Sequence, residues 1–402
     1  MNTIQKPNII FVIKMAFIMS LLALSIDAML PALSQMGNGL GVSDIKQMQS
    51  VISTVFIGMG FGLLFYGPLS DAYGRKKPLY LGLVIFLTGS LICYFSSNLS
   101  VMLFGRLLQG FGASACRVLS TAMIRDQYAG PAMGKVMSLI MVVFILVPAM
   151  APTVGQLVLY FTTWDKIFLL LFLMGLLCIS ILFFFQEETL LPDNRRQVSI
   201  RNIRDGIVEI FKNPVSRIYT IVSGVLFGAF VGYLSTSQLI FQEHFKLGDK
   251  FSYYFGCLAL FLGMSSFINS KLVEKIAMRK LVLMSFIALF SFASIYLSYL
   301  YIHNGEAPLY SFMLYMALSF LFVGILFGNL NALAMEPLGH IAGLGNSVIS
   351  SLQTFIGAFI GGTIASFYND NIYPLPIGFF IASLFCLFLL RSKKLKSYKL
   401  SS

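Results

Sequence analysis

Apolar runs of about 20 residues recur along the whole chain, separated by short polar turns. A helix rising about 1.5 Å per residue needs roughly 20 apolar residues to cross about 30 Å of hydrocarbon. The pattern predicts twelve such helices. They lie near 12–33, 48–69, 78–96, 100–122, 136–158 and 167–185, then near 215–241, 252–270, 280–302, 309–333, 343–366 and 374–391. Continuous runs, in place of strict alternation, exclude a β-barrel. One connection is long and polar, 186–214, and holds Glu187, Glu188, Arg195, Arg196, Arg201 and Arg204. Within it Ile200, Ile203, Ile207, Ile210 and Phe211 recur at helical spacing, which predicts an amphipathic helix lying on the membrane surface. The expected organisation is a six-helix half over 1–185, a cytoplasmic linker over 186–214, a second six-helix half over 215–391 and a basic cytoplasmic tail over 392–402.

Composition agrees. Of 402 residues 57% are hydrophobic and 11% charged, with a mean hydropathy of +0.84. Soluble domains carry about 25% charged residues, so this is an all-α polytopic membrane protein. The net charge of +12 raises the question of nucleic acid. Its distribution answers otherwise. With an even number of helices both termini share a side, and 22 of the 28 cations fall there, against four on the other side and two inside the fourth helix. Both termini are therefore expected in the cytoplasm. The positive charge serves topology and attraction to anionic lipid, and no nucleic-acid partner is expected. Cys93, Cys116, Cys178, Cys257 and Cys386 all sit in apolar runs and read as buried packing residues. The first run is longer than a signal-peptide core, carries Asp27 and lacks a convincing cleavage site.

The two halves repeat. Adding 203 to Gly67, Leu69, Asp71, Gly74, Lys76 and Lys77 reaches Ser270, Leu272, Glu274, Ala277, Arg279 and Lys280. The order small, apolar, acidic, small, basic, basic returns in the equivalent loop, between helices 8 and 9. Two pseudo-symmetric halves follow, the second copy degenerate.

Fifteen of the sixteen carboxylates fall in loops or at helix ends, and Asp27 alone lies well inside an apolar run. An acid there is expensive and marks a functional site by default, although hydrogen bonds to neighbouring hydroxyls or backbone are the structural alternative. Helix 4 holds Arg106 and Arg117, eleven residues apart and so on one helix face. Arg106 lies roughly 10 Å, and Asp27 about 9 Å, from the outer ends of their helices, so both can face one cavity at similar depth. Arg106 can instead brace helix packing, and Arg117 is either a second cavity cation or a residue snorkelling inward. Tyr233, Gln238, Asn329, Asn331 and Gln353 are polar groups in apolar runs and candidate cavity lining. The 39 Phe and 20 Met residues include adaptable contacts for varied ligands, though most face lipid or pack helices. His244, His303 and His340 form no metal-ligand cluster, and there is no glycine-rich phosphate loop. Neither an enzyme nor a cofactor or metal is implied.

Three stretches are more specific. Gly67-Pro-Leu-Ser-Asp-Ala-Tyr-Gly-Arg-Lys-Lys77 is a tight charged turn between helices 2 and 3. It resembles the signature loop of the major facilitator superfamily at Gly67, Leu69, Ser70, Asp71, Gly74, Arg75 and Lys76, and departs at Ala72, where the family carries a cation. Arg106-Leu-Leu-Gln-Gly110 resembles the superfamily's helix 4 motif at Arg106, Gln109 and Gly110, whose arginine is tied to proton coupling. Pro148-Ala-Met-Ala-Pro-Thr-Val-Gly-Gln156 resembles the antiporter motif of helix 5 at Pro152 and Gly155, with Ala151 and Gln156 in place of glycines.

Together with Ile26-Asp-Ala-Met-Leu-Pro-Ala-Leu33, Glu187-Glu-Thr-Leu190 and Ala342-Gly-Leu-Gly-Asn-Ser347, these stretches resemble the bicyclomycin/chloramphenicol-resistance (Bcr/CflA) branch of drug:proton antiporters. The resemblance implies the major facilitator fold, a central cavity and export of amphiphilic compounds in exchange for protons. The expected coupling cavity holds Asp27 on its position and Arg106 and Gln109 on the motif, with Arg117, which has no clear place in the motif, as a second cation; the Gly67–Lys77 turn is the expected inner gate. The expected setting is the bacterial inner membrane, with the protein acting as a monomer. A metabolite or siderophore carrier of the same fold is the alternative within transport. A channel or membrane sensor is the alternative of another class, disfavoured by the half-length repeat and the single deep acid.

Overall fold

The computed structural model describes residues 8–128, 130–195 and 200–392. It is helical, with no strand among the described residues. Contacts divide the chain into two compact units, Met1–Arg201 and Asn202–Ser402.

In the first unit, α1 (Ile9–Asp27) leads through a 3₁₀ turn, Leu30–Ala32, into α2 (Leu33–Gly39). Then come α3 (Ser50–Tyr73), α4 (Lys76–Tyr94), α5 (Leu99–Gln127), α6 (Gly130–Phe161) and α7 (Asp165–Phe185). The short α8 (Ile200–Lys212) follows across the boundary. The second unit holds α9 (Pro214–Gln238), α10 (Phe251–Leu272), α11 (Met278–Ile302), α12 (Leu309–Met335), α13 (Ala342–Ser366) and α14 (Pro374–Leu390). Ten of the described helices are long and apolar enough to cross a membrane, and the apolar stretches Leu146–Phe161 and Pro374–Leu390 complete twelve. The chain is a twelve-helix membrane protein built from two six-helix halves.

Local chemistry sets several starts. Asn98 accepts from Val101 N at 3.0 Å and opens α5. Asn213 accepts from Val215 N and Ser216 N at 2.9 and 3.2 Å, with Pro214 in the first helical position of α9, where its missing N–H costs nothing.

The halves share their packing logic. Gly62 of α3 lies so close to α5 that a Cβ would run into Ser114 Oγ. In the second half Gly324 of α12 lies as close to Ser265 of α10. Ser265 stands 203 places after Gly62, so the small pair is kept with the glycine moved to the facing helix, which lets the backbones approach as small residues do in membranes. The degenerate loop repeat keeps an ion pair as well. Arg279 binds Glu336 at the end of α12 at 2.9 Å, as Arg75 binds Asp126 at the end of α5 at 2.9 Å.

Three expectations are corrected. The apolar run 12–33 is not one helix: regular α-helix stops at Asp27, because Pro31 has no N–H to bond the Asp27 carbonyl four residues back. Asp27 is thus the last residue of α1, not a residue of a helix interior. Helix 7 does not end as plain α-helix near 241 but passes into a π turn over Leu239–His244. Cys257 is exposed while the other four cysteines are buried, since it lies on the face of α10 that also exposes Tyr253, Leu260 and Met264. The amphipathic stretch expected in the linker is helical as α8, and its Glu209 pairs with His340 at 2.7 Å. The tail after Ser392, together with Lys6 and Arg196, lies outside the described residues.

Candidate coupling site and gating loop

Asp27 is buried, with 4% of its surface exposed. Its Oδ1 has no hydrogen-bond partner among the described residues. The helix break beside it leaves room for another backbone, and α6 occupies it. Gly155 packs on the Ala28 carbonyl so closely that a Cβ would collide with the oxygen, and it would stand 3.3 Å from Pro31 Cγ. Pro152, one turn earlier on α6, is buried too. The proline–glycine pattern of the antiporter motif therefore serves a specific contact. It seats α6 against the turn that follows the membrane acid.

Arg106 is completely buried. Its Nη1 donates to Ser25 O at 2.9 Å and to Gln109 Oε1 at 2.7 Å, and its Nε donates to Val51 O at 3.3 Å. The guanidinium carbon lies 5.8 Å from the centre of the Phe168 ring. Gln109, one turn on, donates from Nε2 to Ser90 Oγ at 2.8 Å. Ser90 Oγ in turn donates to Phe86 O at 2.9 Å. Gly110 lets α5 sit on the Val55 carbonyl. The Arg-x-x-Gln-Gly pattern thus ties α1, α3, α4 and α5 together through backbone carbonyls, which a five-donor fork can reach in several directions. Arg106 and Asp27 form no ion pair: the arginine holds α1 at Ser25, two residues before the acid. Arg106 Nη2 has no partner among the described residues.

Arg117 shares the Arg106 face of α5, but it is exposed. No side-chain hydrogen bond or ion pair to it occurs among the described residues.

The charged turn between α3 and α4 is a closed network. Arg75 is 8% exposed. It grips Asp126 in a fork, Nε to Oδ2 at 2.9 Å and Nη2 to Oδ1 at 3.2 Å, and its Nη1 reaches Asp71 Oδ1 at 2.5 Å and Ser70 Oγ at 2.8 Å. Burial works against the Arg75 charge, but its bonds to Asp126 and Asp71 outweigh burial and raise its proton affinity above the ordinary value. Lys76 begins α4 with its ammonium 5.9 Å from the Tyr80 ring centre. Leu69 lies in the last turns of α3. Gly67 is also helical there, its carbonyl accepting from Ser70 Oγ at 2.8 Å, so α3 runs through the first part of the turn and only Gly74, at φ +87°, makes the reversal. At Gly74 a Cβ would also stand 2.5 Å from Glu188 Oε2.

Two partners in that network were not singled out by sequence. Asp126 lies at the end of α5 beside Arg125. Glu188 follows α7 and accepts from the backbone N–H groups of Arg75 at 2.8 Å, Lys76 at 3.1 Å, Thr189 at 2.9 Å and Leu190 at 3.1 Å. Partial burial alone would push its carboxyl up, but four donated N–H bonds win and hold it below the usual 4.5. Thr189 Oγ1 closes the ring on Asp126 Oδ2 at 2.8 Å. Glu187-Glu-Thr-Leu after an apolar run was the available signal, but nothing in the sequence says which turn it reaches.

In the second half the polar residues mostly meet neighbouring helices. Asn329 is buried and donates to Asn269 Oδ1 at 2.8 Å and Ile325 O at 2.9 Å. Tyr233 is packed between the rings of Phe255 and Phe320, centroids at 5.6 and 4.8 Å. Gln238 donates to Gln242 Oε1 at 2.8 Å. Asn331 faces Asn346 at 3.5 Å, and Gln353 Nε2 is buried without a partner among the described residues. No group of three or more His, Cys, Asp or Glu suited to a metal occurs among the described residues.

Twelve spanning helices in two related halves, a buried acid at a helix break and a charged reversal after the second span define a multi-pass membrane transporter. The chain belongs to the Major Facilitator Superfamily, whose family model matches residues 15–362. It is 28% identical to a bicyclomycin resistance protein homolog of Haemophilus influenzae, over 98% of this chain and 99% of that one. It is 30% identical to the MFS-type transporter YdgK of Bacillus subtilis, over 86% and 87% of the two chains. The multidrug resistance protein MdtL of Vibrio parahaemolyticus is 26% identical over 88% and 89%. Among solved structures, the human organic anion transporter MFSD10 superposes with a TM-score of 0.69 at 18% identity, covering 96% of this chain and all of that one. A D-xylose–proton symporter also gives 0.69, at 16% identity over 94% and 97%. At that identity the two structures establish the fold.

Proposed function

We propose that the protein exports amphiphilic small molecules in exchange for protons by alternating access, with Asp27 as the proton site. The observation that carries this reading is Asp27 itself: a buried carboxylate with an unpartnered oxygen, at a break in α1 against which Gly155 is packed. A carboxylate in such a place is costly unless it works. A break in the helix beside it can change with the state of the acid more readily than continuous helix can. The names of the bicyclomycin-resistance and MdtL relatives support drugs as cargo.

Arg106 and Gln109 hold the α1 end of this site in register, Pro152 and Gly155 seat α6 on it, and Arg117 is a second cation of the cavity, further along α5. Tyr233, Gln238, Asn331 and Gln353 are the second half's candidates for cargo contact, with Asn329 a helix tie. Gly67, Leu69, Asp71, Gly74, Arg75 and Lys76 form the inner gate. The organisation is a half over 1–185, a linker over 186–214, a half over 215–391 and a tail. Both termini and the linker lie in the cytoplasm, in the bacterial inner membrane, and the monomer is the working unit. The cation bias carries that orientation. A reporter fused at Ser402 and active only outside the cell would reverse it.

The test is substrate-induced proton release from purified protein, paired with gradient-driven efflux in proteoliposomes. Asp27→Asn mimics the protonated acid and cannot cycle. It is expected to abolish both signals while neutral cargo still binds, and Asp27→Glu is expected to keep part of the activity. Proton release and active efflux surviving in Asp27→Asn would place the coupling elsewhere.

A further inference from the structure

We infer that Arg117 is a recognition site for a negatively charged group on the cargo, so that the protein prefers amphiphiles carrying a carboxylate or similar anion. The inference rests on the export reading above and names the cargo's chemistry.

Arg117 is deep. It lies ten residues before the end of α5 at Gln127, about 15 Å along the helix. Its neighbours in sequence and on the adjoining turns are buried: Ala113, Cys116, Leu119 and Ser120 are all at 0% exposure. The arginine is exposed among them. Two directions are open to an exposed residue of a membrane helix, lipid or the protein interior, and the helical wheel decides between them. Eleven residues turn a helix by about 20° beyond three full turns, so Arg117 projects with Arg106. The Arg106 face meets α1 at Ser25, α3 at Val51 and α7 at Phe168. The large residue at 55% exposure, Phe104, lies about 160° away on the same wheel. A charge at mid-membrane is avoided on the lipid side and tolerated on an interior one. Arg117 therefore faces inward.

Among the described residues it has no acid to answer it. Two hydrogen bonds fix the register of α1 against α5: Arg106 to Ser25 O at one end, and Asn8 N to Tyr128 Oη at 3.0 Å at the other. Arg117 is midway between 106 and 128, which sets it level with residues 16–17 of α1. Asp27 is then about ten residues, or roughly 15 Å, away along α1. The charged group nearest that level on α1 is another cation, Lys14, whose ammonium donates to Phe185 O. Asp71 and Asp126, the acids of the loop end, are engaged by Arg75. An arginine cannot shed its proton to relieve the mismatch. An unpaired charge at membrane depth is costly, and pairing with a partner recovers much of that cost. A cargo anion of fitting size would supply the partner, and its apolar body would lie along the exposed apolar surface of the spans.

The experiment uses the full-length protein in nanodiscs of zwitterionic lipid, with empty nanodiscs subtracted. The probes are radiolabelled 8-phenyloctanoate, its methyl ester and a phenyloctyl-trimethylammonium of matched length. Wild type should bind the carboxylate about tenfold tighter than the ester and the ammonium, a difference of about 1.4 kcal/mol. Arg117→Gln should erase that preference and leave ester affinity within about twofold, and Arg117→Lys should retain part of it. Unchanged ester binding also shows that Arg117→Gln is folded. A preference that survives in Arg117→Gln, or wild type that binds the carboxylate no better than the ester or not at all, overturns the inference. A headgroup offers the same anion. Nanodiscs containing phosphatidylglycerol separate the sources: displacement of the carboxylate by that lipid would overturn cargo as the occupant. None of these readouts requires coupling, so proton release that survived in Asp27→Asn would place the coupling residue elsewhere and leave the anion preference standing.

Discussion

Gly155 of α6 rests on the main-chain carbonyl of Ala28, the residue after Asp27, with no room for a single methyl group between them. The contact joins two features that stand far apart in sequence, a proline–glycine pattern in the fifth span and the only deep acid in the first.

Gly155→Ala is accordingly expected to disturb the acid and not merely the packing. The obstructing atom is backbone, which cannot swing away like the end of a side chain. Overpacking of this kind costs about 1–3 kcal/mol. The melting temperature of purified protein should fall, and efflux should fall further than stability accounts for. A control at Gly343, where a Cβ would meet nothing within 4 Å, should change neither.

The twelve spans were legible because membrane hydrocarbon imposes one length and one polarity on every helix that crosses it. Local chemistry was legible too: Pro31, Asn98 and Asn213 act within a few residues of themselves. What the sequence could not supply was partnership at a distance. Arg75 was visible as a basic turn residue, but its grip on Asp126, 51 positions on, and its backbone's bond to Glu188, 113 positions on, depend on how α5 and α7 return to one end of the half. Arg106 shows the same limit. Its helix face and depth were readable, and they suggested a common cavity with Asp27. The structure gives it backbone carbonyls instead, because a fully buried fork is best satisfied by fixed acceptors.

Glu188 carries a pH signature that can be measured. Its folded carboxyl titrates below the ordinary 4.5, held there by four backbone donors against the opposing effect of burial. The sign follows from linkage: the unfolded chain binds the proton more readily, so the stabilising contribution is complete above the unfolded pKa and drains away as pH falls through the folded one. Glu188→Gln should lower the melting temperature at pH 6–7, and the gap to wild type should narrow steadily below about pH 4.5. Glu188 is partly solvated, so the gap should be small. A gap that stayed constant from pH 7 to pH 3.5 would mean that charge is not what binds Glu188 to the start of α4.

The gating turn distinguishes its two acids. Asp126 receives the Arg75 fork through both oxygens, whereas Asp71 receives one bond from Nη1. Bidentate geometry is specific to arginine. Arg75→Lys is therefore expected to behave like Asp126→Asn, with efflux reduced about tenfold or more and the melting temperature lowered. Asp71→Asn is expected to spare stability and change the balance of states, seen as altered labelling of single cysteines placed near the turn. A ligand or bond shifts an equilibrium only where it differs between the two states. Unchanged labelling and full transport in Asp71→Asn would remove that residue from the gate.

Arg106 is the strictest test of the distinction between a coupling partner and a brace. If its main task is to hold α1 through Ser25 O, α3 through Val51 O and the fork's own helix through Gln109, then charge alone cannot replace it. Arg106→Lys keeps the charge, but a lysine ammonium on a flexible stem cannot reach three acceptors set in different directions. Leaving buried carbonyls without donors costs about 1–3 kcal/mol each. Arg106→Lys should then lose several degrees in melting temperature and most of its efflux, close to the loss in Arg106→Ala. Gln109→Leu should lose less, because it removes one acceptor of the fork and the bond to Ser90 while the bonds to α1 and α3 remain. If Arg106→Lys instead melted like wild type and failed only in proton release, the arginine would be acting on Asp27 through its charge, and the brace would not be its principal role.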